Sequence, residues 1–545
     1  MEKPVIYQLL PRLFGNTNHH CVPDGTIEQN GCGKLADISP AVLTSLKDMG
    51  VTHVWYTGVI RHATQTDYSA HGIPKNNPHV VKGKAGSPYA IVDYYDIDPD
   101  LASDVDQRQL EFDALVERTH RAGLKVIIDF VPNHVAREYH SIARPAGVRD
   151  LGDGDNQSMF FARDNNFYYL TGQAFCPTMG CGDYHEFPAR ATGNDCYSAS
   201  PGTNDWYETI KLNYGLDPWN GSRHFDPIPD TWHKMLHIMM YWASRDIDGL
   251  RCDMAHMVPV EFWHWAIGQV KEKFPHLIFI AEIYDVGLYD SYINYSGFDF
   301  LYDKVTLYDT LIDVLTHDRS TQDLPHCWQT VNAWREHMLH FMENHDEVRL
   351  ASRHLCGDAL PGRPAVVVSA TLDTGSMMVY SGQELGEDGD EAEGYRGADG
   401  RTTIFDYWSM RSVRQWLSRP NLDRRNPLRD YYRRLLRLCN AERAIACGQM
   451  FDLMYVNPHL TRQYAYLRHA DGELLLVVAN FASADAHPVI TLPTHAFDYL
   501  HLLPGRVRGQ ELLHGATRFY DLSPDCALEL PVKGYDAVVW KFFVK

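Results

Sequence analysis

Short apolar runs rich in β-branched residues alternate with amphipathic helical patterns along the first 445 residues. Residues 5–10 and 53–57 predict strands, and residues 40–49 predict a helix between them with Ser39 as its N-cap. Residues 125–131 form a nearly continuous apolar run, which is typical of a strand buried on both faces. The chain therefore opens in the alternating pattern of an α/β protein.

The same alternation continues after a polar interval and completes eight strand–helix units. Further strands are predicted at residues 249–252, 277–281, 299–302, 339–342 and 376–380. Further helices are predicted at residues 110–121, 231–244, 261–273, 365–372 and 428–442. Eight repeats of strand and helix predict a closed parallel (β/α)8 barrel, the TIM-barrel architecture.

Two segments do not follow this pattern. Residues 135–215 are rich in Gly, Asn, Asp and aromatic residues, and they are too many for a bare loop, so we expect an inserted subdomain after strand 3. Beyond residue 446, runs such as 474–479 and 537–543 predict a C-terminal antiparallel β-sandwich domain. The predicted division is barrel at 1–134 and 216–445, inserted subdomain at 135–215 and all-β domain at 446–545.

The net charge of the chain limits the kinds of molecule that it can bind. The 545 residues carry a formal net charge of -20. A surface of this sign repels nucleic-acid phosphates and anionic lipids, so we expect neither nucleic acid nor a membrane as a partner. No apolar run reaches the roughly 18 residues of a membrane span. The sequence leaves the oligomeric state undetermined.

Cysteine usage bears on the compartment. Eleven cysteines, an odd number, are scattered along the chain. This is typical of reduced thiols in the cytoplasm rather than of a disulfide framework. The N-terminus lacks the basic and apolar regions of a signal peptide, which favours the cytoplasm. A periplasmic protein whose signal peptide has been removed is the alternative.

Carboxylates stand at the ends of several predicted strands. Asp129, Asp253, Glu282 and Asp346 each lie at or just past the C-terminal end of a strand. In a TIM barrel the active site lies at that face. Like charges held close together are costly, so a converging acidic cluster indicates catalysis or metal binding, whereas a single acid there is more often a helix cap.

Glycoside hydrolysis needs two carboxyl groups with different protonation states. Arg251 lies two residues before Asp253, so both side chains point to one face of the strand, and the guanidinium favours an ionised nucleophile. Glu282 follows an apolar run, and such surroundings suit a group that stays protonated as the general acid. His134 and His345, beside candidate site residues, are predicted donors to sugar hydroxyls.

Four segments together resemble the signatures of a known family. Asp-Phe-Val-Pro-Asn-His at 129–134, Gly-Leu-Arg-Cys-Asp at 249–253, Ala-Glu-Ile-Tyr at 281–284 and Phe-Met-Glu-Asn-His-Asp at 341–346 are similar to the four motifs of the α-amylase family of glycoside hydrolases. Residues 87–99 and 378–384 resemble two weaker marks of that family. The resemblance covers nearly the whole chain and keeps the four motifs in order.

The resemblance implies a role for each matching position. Asp253 matches the nucleophile and Glu282 the general acid/base, while Asp346 matches the carboxylate that binds sugar hydroxyls and holds the distorted ring. The matching substrate-binding and orienting positions are Arg251, His134, His345 and Tyr89, the last of which stacks under the sugar. Arg349 also fits the pattern, and an ion pair that holds its loop is the alternative.

Two positions bear on substrate and metal. His256 stands where many members have a lysine that touches sugars on the leaving-group side, so binding of long starch chains is in doubt. Asn133 matches a calcium ligand of the family, with a hydrogen bond to backbone as the alternative. The resemblance implies no required cofactor and leaves calcium as an option.

The resulting hypothesis is a retaining glycoside hydrolase that cleaves α-glucosidic bonds in α-glucans or maltooligosaccharides by double displacement. Retention predicts a separation of about 5–5.5 Å between the Asp253 and Glu282 carboxyls. One alternative is a transglycosylase or glycoside isomerase of the trehalose or sucrose type on the same scaffold. A binding protein that has kept the barrel is the other, and the complete set of acidic residues opposes it.

Overall fold

Eight parallel strands close into a barrel, as the sequence pattern predicts. The computed structural model describes residues 2–390, 394, 398–418, 426–470 and 472–543. The barrel strands are β1 (Val5–Leu9), β2 (His53–Tyr56), β3 (Lys125–Phe130), β4 (Gly249–Cys252), β5 (Ile278–Ala281), β6 (Phe300–Tyr302), β7 (Met338–Phe341) and β8 (Ser376–Tyr380). Each predicted strand boundary lies within one residue of the observed one.

The strand register determines which side chains meet at the C-terminal end of the barrel. Each strand pairs with the next along the chain, and β8 pairs with β1. Arg251 of β4 lies beside Asp129 of β3, and Cys252 lies beside Ala281 of β5. The residues that follow these strands, Asp253 and Glu282, therefore leave the barrel side by side.

Helices pack around the barrel. Those of eight or more residues in the described ranges are Pro40–Met49, Arg108–Arg121, Asp230–Ala243, Val260–Lys273, Asp309–Thr316, Arg363–Thr371, Arg411–Ser418 and Pro427–Ala441. The predicted N-cap is confirmed, because Ser39 Oγ accepts a hydrogen bond from the Val42 amide at 3.3 Å. The sequence pattern did not predict Asp309–Thr316 or Arg411–Ser418.

The segment between β3 and the next barrel helix contains little regular structure. Two short antiparallel pairs organise it: His134–Ala136 with Thr209–Lys211, and Tyr169–Leu170 with Ala189–Arg190. A small apolar core of its own includes Phe175 and Tyr184. The first pair joins the end of the segment back to the residues that follow β3.

The C-terminal part is antiparallel β structure, as expected. Its strands are β9 (Gln449–Asp452), β10 (Gln463–Ala470), β11 (Glu473–Asn480), β12 (Val489–Leu492), β13 (Gly505–Glu511), β14 (Thr517–Leu522), β15 (Cys526–Glu529) and β16 (Asp536–Phe543). Six of them form one sheet in the order β9-β10-β11-β16-β13-β14, and β12 pairs with β15. Within the described ranges, no helix has the length and apolarity to cross a membrane.

Candidate active site

Three strand-end carboxylates line one cavity of about 200 Å3 at the C-terminal end of the barrel. Asp253 follows β4, Glu282 follows β5 and Asp346 follows β7. Tyr89 and His134 line the same cavity. The structure thus brings five of the predicted site residues together at the barrel face where this architecture places catalysis.

A larger cavity, about 830 Å3, lies beside the C-terminal sheet and is lined by Trp328, Tyr455 and Tyr499 among others. Size does not make it the better candidate, since it holds none of the carboxylates at the barrel strand ends. The chemistry therefore points to the smaller cavity.

Arg251 forms the electrostatic centre of the site. Its side chain is fully buried. Nη1 donates a hydrogen bond to Asp253 Oδ1 at 2.7 Å. Nη2 lies 2.8 Å from Glu282 Oε2, but it lacks the alignment of a hydrogen bond. One guanidinium thus contacts both carboxyls, and of these two it donates an aligned hydrogen bond only to Asp253.

Burial and the nearby Glu282 carboxylate raise the pKa of the Asp253 carboxyl well above its usual range, while Arg251 lowers it. The prediction from sequence considered only the effect of Arg251. Two buried carboxyls this close favour a state with one proton between them. Of these two carboxyls, Asp253 accepts the aligned guanidinium hydrogen bond, which favours its ionised form.

The predicted apolar surroundings of Glu282 are wrong. The Met254 amide donates to Glu282 Oε2 at 2.8 Å, and the Tyr284 hydroxyl donates to Oε1 at 2.5 Å. Met254 has a left-handed backbone with φ of 43°. That conformation is uncommon for a non-glycine residue. Polar contacts, rather than an apolar pocket, position Glu282.

Tyr89 and His345 form an aromatic wall whose rings are held in place by stacking and hydrogen bonds. Their rings stack with centroids 5.2 Å apart, and the Tyr89 hydroxyl lies 2.6 Å from His345 Nε2. The Gln8 amide nitrogen lies 2.7 Å from the other ring nitrogen. His345 Nε2 is also 3.1 Å from Asp346 Oδ2. His345 therefore connects the Tyr89 ring to the third carboxylate.

His134 lies on the side of the inserted segment. Burial, together with the Lys211 and Lys82 ammonium groups, lowers the pKa of its imidazole to about 3. The ring lies 5.2 Å from the half-buried indole of Trp206. At neutral pH the imidazole is uncharged and can hydrogen-bond a hydroxyl without adding charge to the site.

Arg349 does not reach the cavity. It is fully buried, and Nη1 donates to Glu343 Oε2 at 2.8 Å and to the Ser381 carbonyl at 3.0 Å. Its guanidinium lies 4.0 Å from the centroid of the Tyr380 ring. These contacts support the ion pair that holds the loop and oppose a direct substrate contact.

Asp129 and His256 also lie outside the cavity lining. Asp129 accepts a hydrogen bond from the Trp55 indole at 3.0 Å and lies 3.4 Å from Arg251, so it acts as a buried partner of the guanidinium. The His256 ring lies 6.2 Å from Tyr284. It is therefore next to the wall that carries Glu282 rather than inside the cavity.

The expected calcium ligand, Asn133, has a different partner. Its Oδ1 accepts a hydrogen bond from the Lys211 ammonium, and its Nδ2 donates to the Gly193 carbonyl at 2.7 Å. The Lys211 ammonium therefore already occupies the position next to the Asn133 oxygen that a calcium ion would take. The arrangement does not fit a calcium ion, and the prediction of a metal ligand here is corrected accordingly.

The cavity residues that were not predicted include Lys82, Trp206 and Phe405. Tyr284, which contacts Glu282 from outside the lining, was not predicted either. Lys82 Nζ pairs with Glu208 at 3.0 Å and lies 5.8 Å from the Phe405 ring centroid. Tyr284 follows Glu282 by two residues, so the alternation of an extended segment could have indicated it. The others come from irregular segments that carry no periodic signal.

Comparison with known proteins gives a family and a set of relatives. The family model described as the α-amylase catalytic domain matches residues 8–215 and 227–427. A cyclomaltodextrinase from a Bacillus species is 24% identical over 498 residues, which cover 88% of this chain and 73% of that protein. An intracellular maltogenic amylase from Bacillus subtilis is 22% identical over 406 residues, which cover 72% of this chain and 56% of that protein.

The chain therefore spans little more than half the length of the maltogenic amylase from Bacillus subtilis. Among solved structures, a maltogenic α-amylase from Thermotoga neapolitana superposes with a TM-score of 0.65 at 19% identity, with 99% of each chain covered. At that identity the structural match shows a shared fold.

Proposed function

This chain belongs to the α-amylase family of glycoside hydrolases, and on that premise we propose that it hydrolyses α-glucosidic bonds in short maltooligosaccharides by double displacement. The observation that carries the proposal is one cavity lined by Asp253, Glu282 and Asp346, with Arg251 contacting the first two. A barrel kept only for binding would not need a buried guanidinium bridging two carboxyls at a desolvation cost.

In the first displacement, an Asp253 carboxylate oxygen attacks the anomeric carbon while Glu282 gives its proton to the leaving glycosidic oxygen. The C–O bond to the leaving sugar breaks, and a glycosyl ester forms on Asp253. Arg251 favours the ionised Asp253 that this attack requires. The Tyr284 hydroxyl and the Met254 amide hold the Glu282 carboxyl in place.

In the second displacement, the Glu282 carboxylate takes a proton from water, whose oxygen attacks the same carbon and releases Asp253. The product keeps the α configuration, and both carboxyls return to their starting protonation states. Asp346 and the neutral His134 accept or donate hydrogen bonds to sugar hydroxyls, and the Tyr89 ring offers an apolar face to the sugar.

Three features support a short substrate. The cavity volume of about 200 Å3 is smaller than the roughly 300–1,000 Å3 of pockets that enclose drug-sized ligands. Lys82, paired with Glu208, and Trp206 form one wall. His256, in place of the lysine that touches leaving-group sugars in the resembled motif, lies outside the lining. The names of the two relatives, a cyclomaltodextrinase and a maltogenic amylase, agree with this substrate class.

A cytoplasmic location is part of the proposal. None of the eleven cysteines forms a disulfide in the described structure, and reduced thiols are typical of the cytoplasm. One relative bears the name intracellular maltogenic amylase.

Product analysis tests the proposal. Maltotriose, maltoheptaose, a cyclodextrin, starch and pullulan are digested separately, with sucrose and trehalose as further substrates, and proton NMR follows the first product. We expect α-anomers of glucose or maltose from the linear oligosaccharides, formed faster than from starch. A β-anomer contradicts double displacement. Products longer than the substrate would assign the chain to transglycosylation instead.

A further inference from the structure

The contacts of Lys211 carry an inference about how the inserted segment is attached to the barrel. Its side chain is buried. The ammonium donates to Asn133 Oδ1, lies 2.8 Å from Asp195 Oδ1 and lies 3.2 Å from the Met257 carbonyl oxygen. An ammonium has three N–H donors and no acceptor, so three oxygens match its hydrogen-bonding capacity.

These three oxygens are a carboxylate, an amide and a backbone carbonyl, the ligand types that calcium prefers. Asn133 is also the position that resembles a calcium ligand of the family. The ammonium occupies the space between the oxygens, so a calcium ion cannot bind there at the same time.

Two of the three oxygens belong to segments that reach the catalytic cavity. Asn133 directly precedes His134, and Met257 ends the turn Ala255–Met257 that follows Asp253 and Met254. Lys211 ends the strand Thr209–Lys211, which pairs with His134–Ala136. One buried charge therefore joins the two loops after β3 and β4 to the end of the inserted segment.

We propose that the Lys211 ammonium is a built-in cation that replaces a structural calcium ion, so that the protein folds and keeps its active site assembled without metal. Lys211 is a positioning residue: it contacts none of the reacting atoms and acts through His134 and the loop after Asp253. Removing its side chain frees three oxygens around a vacated space, which turns the site into a calcium site.

Thermal unfolding of the whole chain, measured with chelator or with millimolar calcium, tests this inference. For the wild type we expect the same unfolding temperature in both conditions and no stoichiometric calcium by elemental analysis. For Lys211→Ala we expect an unfolding temperature several degrees lower in chelator and a partial return in calcium, with a matching partial return of kcat. Lys211→Met should be destabilised without calcium rescue, because its side chain fills the space and donates no hydrogen bond.

Lys234 provides a matched control. It is also buried and joins the inserted segment to the barrel, with Nζ 2.7 Å from Asn166 Oδ1 and 2.8 Å from Asp230 Oδ2. Those are two oxygens rather than three, and neither segment borders the cavity. Lys234→Ala should lose stability without responding to calcium.

Several outcomes would overturn the inference. One is a wild-type protein that contains one calcium per chain, or unfolds earlier in chelator. Another is a Lys211→Ala variant as stable as the wild type, or one whose stability does not respond to calcium. If Lys211→Ala does not fold, the elemental analysis and the chelator response of the wild type still decide the question.

Discussion

Replacing Arg251 with methionine tests the electrostatic account of the site most stringently. Met has a similar length but no charge, so the substitution removes the contacts to Asp253 and Glu282 at 2.7 and 2.8 Å while filling most of the space. A hydrogen bond to a charged group contributes about 1.5–3 kcal/mol. At 1.36 kcal/mol per pKa unit, the pKa of Asp253 should rise by about one to two units.

Asp253 must be ionised to attack, so its raised pKa lowers activity on the acidic side. We expect the acidic limb of the kcat/KM pH profile to move up by about one to two pH units, so that kcat/KM at a pH on that limb falls about 10–100-fold. Leaving buried carboxyls without their cation should also lower the free energy of unfolding by about 3–5 kcal/mol. The assay is kcat/KM for maltotriose from acidic to alkaline pH, beside thermal unfolding.

Arg468→Met separates the electrostatic effect from loss of stability. Arg468 is buried between the barrel and the C-terminal sheet, where it donates to the carbonyls of Leu372 at 2.8 Å and Ala444 at 3.0 Å. This variant should lose stability yet keep the pH limb of the wild type. An Arg251→Met enzyme with activity within threefold of wild type and an unmoved limb would refute the reasoning.

Three further predictions concern other parts of the structure. Arg349→Met should lower the free energy of unfolding by about 3–5 kcal/mol and leave KM for maltotriose unchanged; a tenfold rise in KM would instead indicate a substrate contact. Trp206→Ala should remove about 0.5–1.5 kcal/mol of aromatic contact with the substrate and raise KM about 2–10-fold. Trp206→Phe should have a KM between that of Trp206→Ala and that of the wild type. Burial lowers the pKa of His340, but the Asp373 and Asp303 carboxylates raise it by more, so that the pKa is about 9 instead of the usual 6.5. The protonated imidazole therefore contributes about 3 kcal/mol to the free energy of unfolding below pH 6.5, and this contribution is lost as the pH rises through 9. Denaturant unfolding of the wild type should show a free energy of unfolding that falls between pH 6.5 and 9. His340→Gln should not show this fall.

The barrel could be predicted because each of its strands is marked by a short stretch of adjacent residues in the sequence. Each strand is a short apolar run, and Asp253 and Glu282 are each the residue that directly follows such a run. Arg251 and Asp253 share a strand face through their spacing of two. Because the C-terminal ends of parallel strands lie at one end of the barrel, residues that follow different strands line the same cavity.

The remainder depends on contacts between segments distant in sequence. Lys82 and Trp206 come from irregular segments, and Lys211 meets Asn133 across 78 positions. Arg349 has the spacing of a site residue, but the burial of its Glu343 partner decides its role. Nothing in a one-dimensional pattern distinguishes a lysine that replaces a metal from one that faces solvent, because the difference lies in which oxygens surround it.

The central claim is that Asp253 forms the glycosyl ester. A slow-reacting fluorinated glucosyl fluoride traps such an ester, and mass spectrometry of the digested protein then locates the modified residue. The account predicts one sugar per inactivated chain, attached to the peptide that contains Asp253. Attachment to Glu282 or Asp346, or complete turnover of the reagent without any trapped ester, would contradict it.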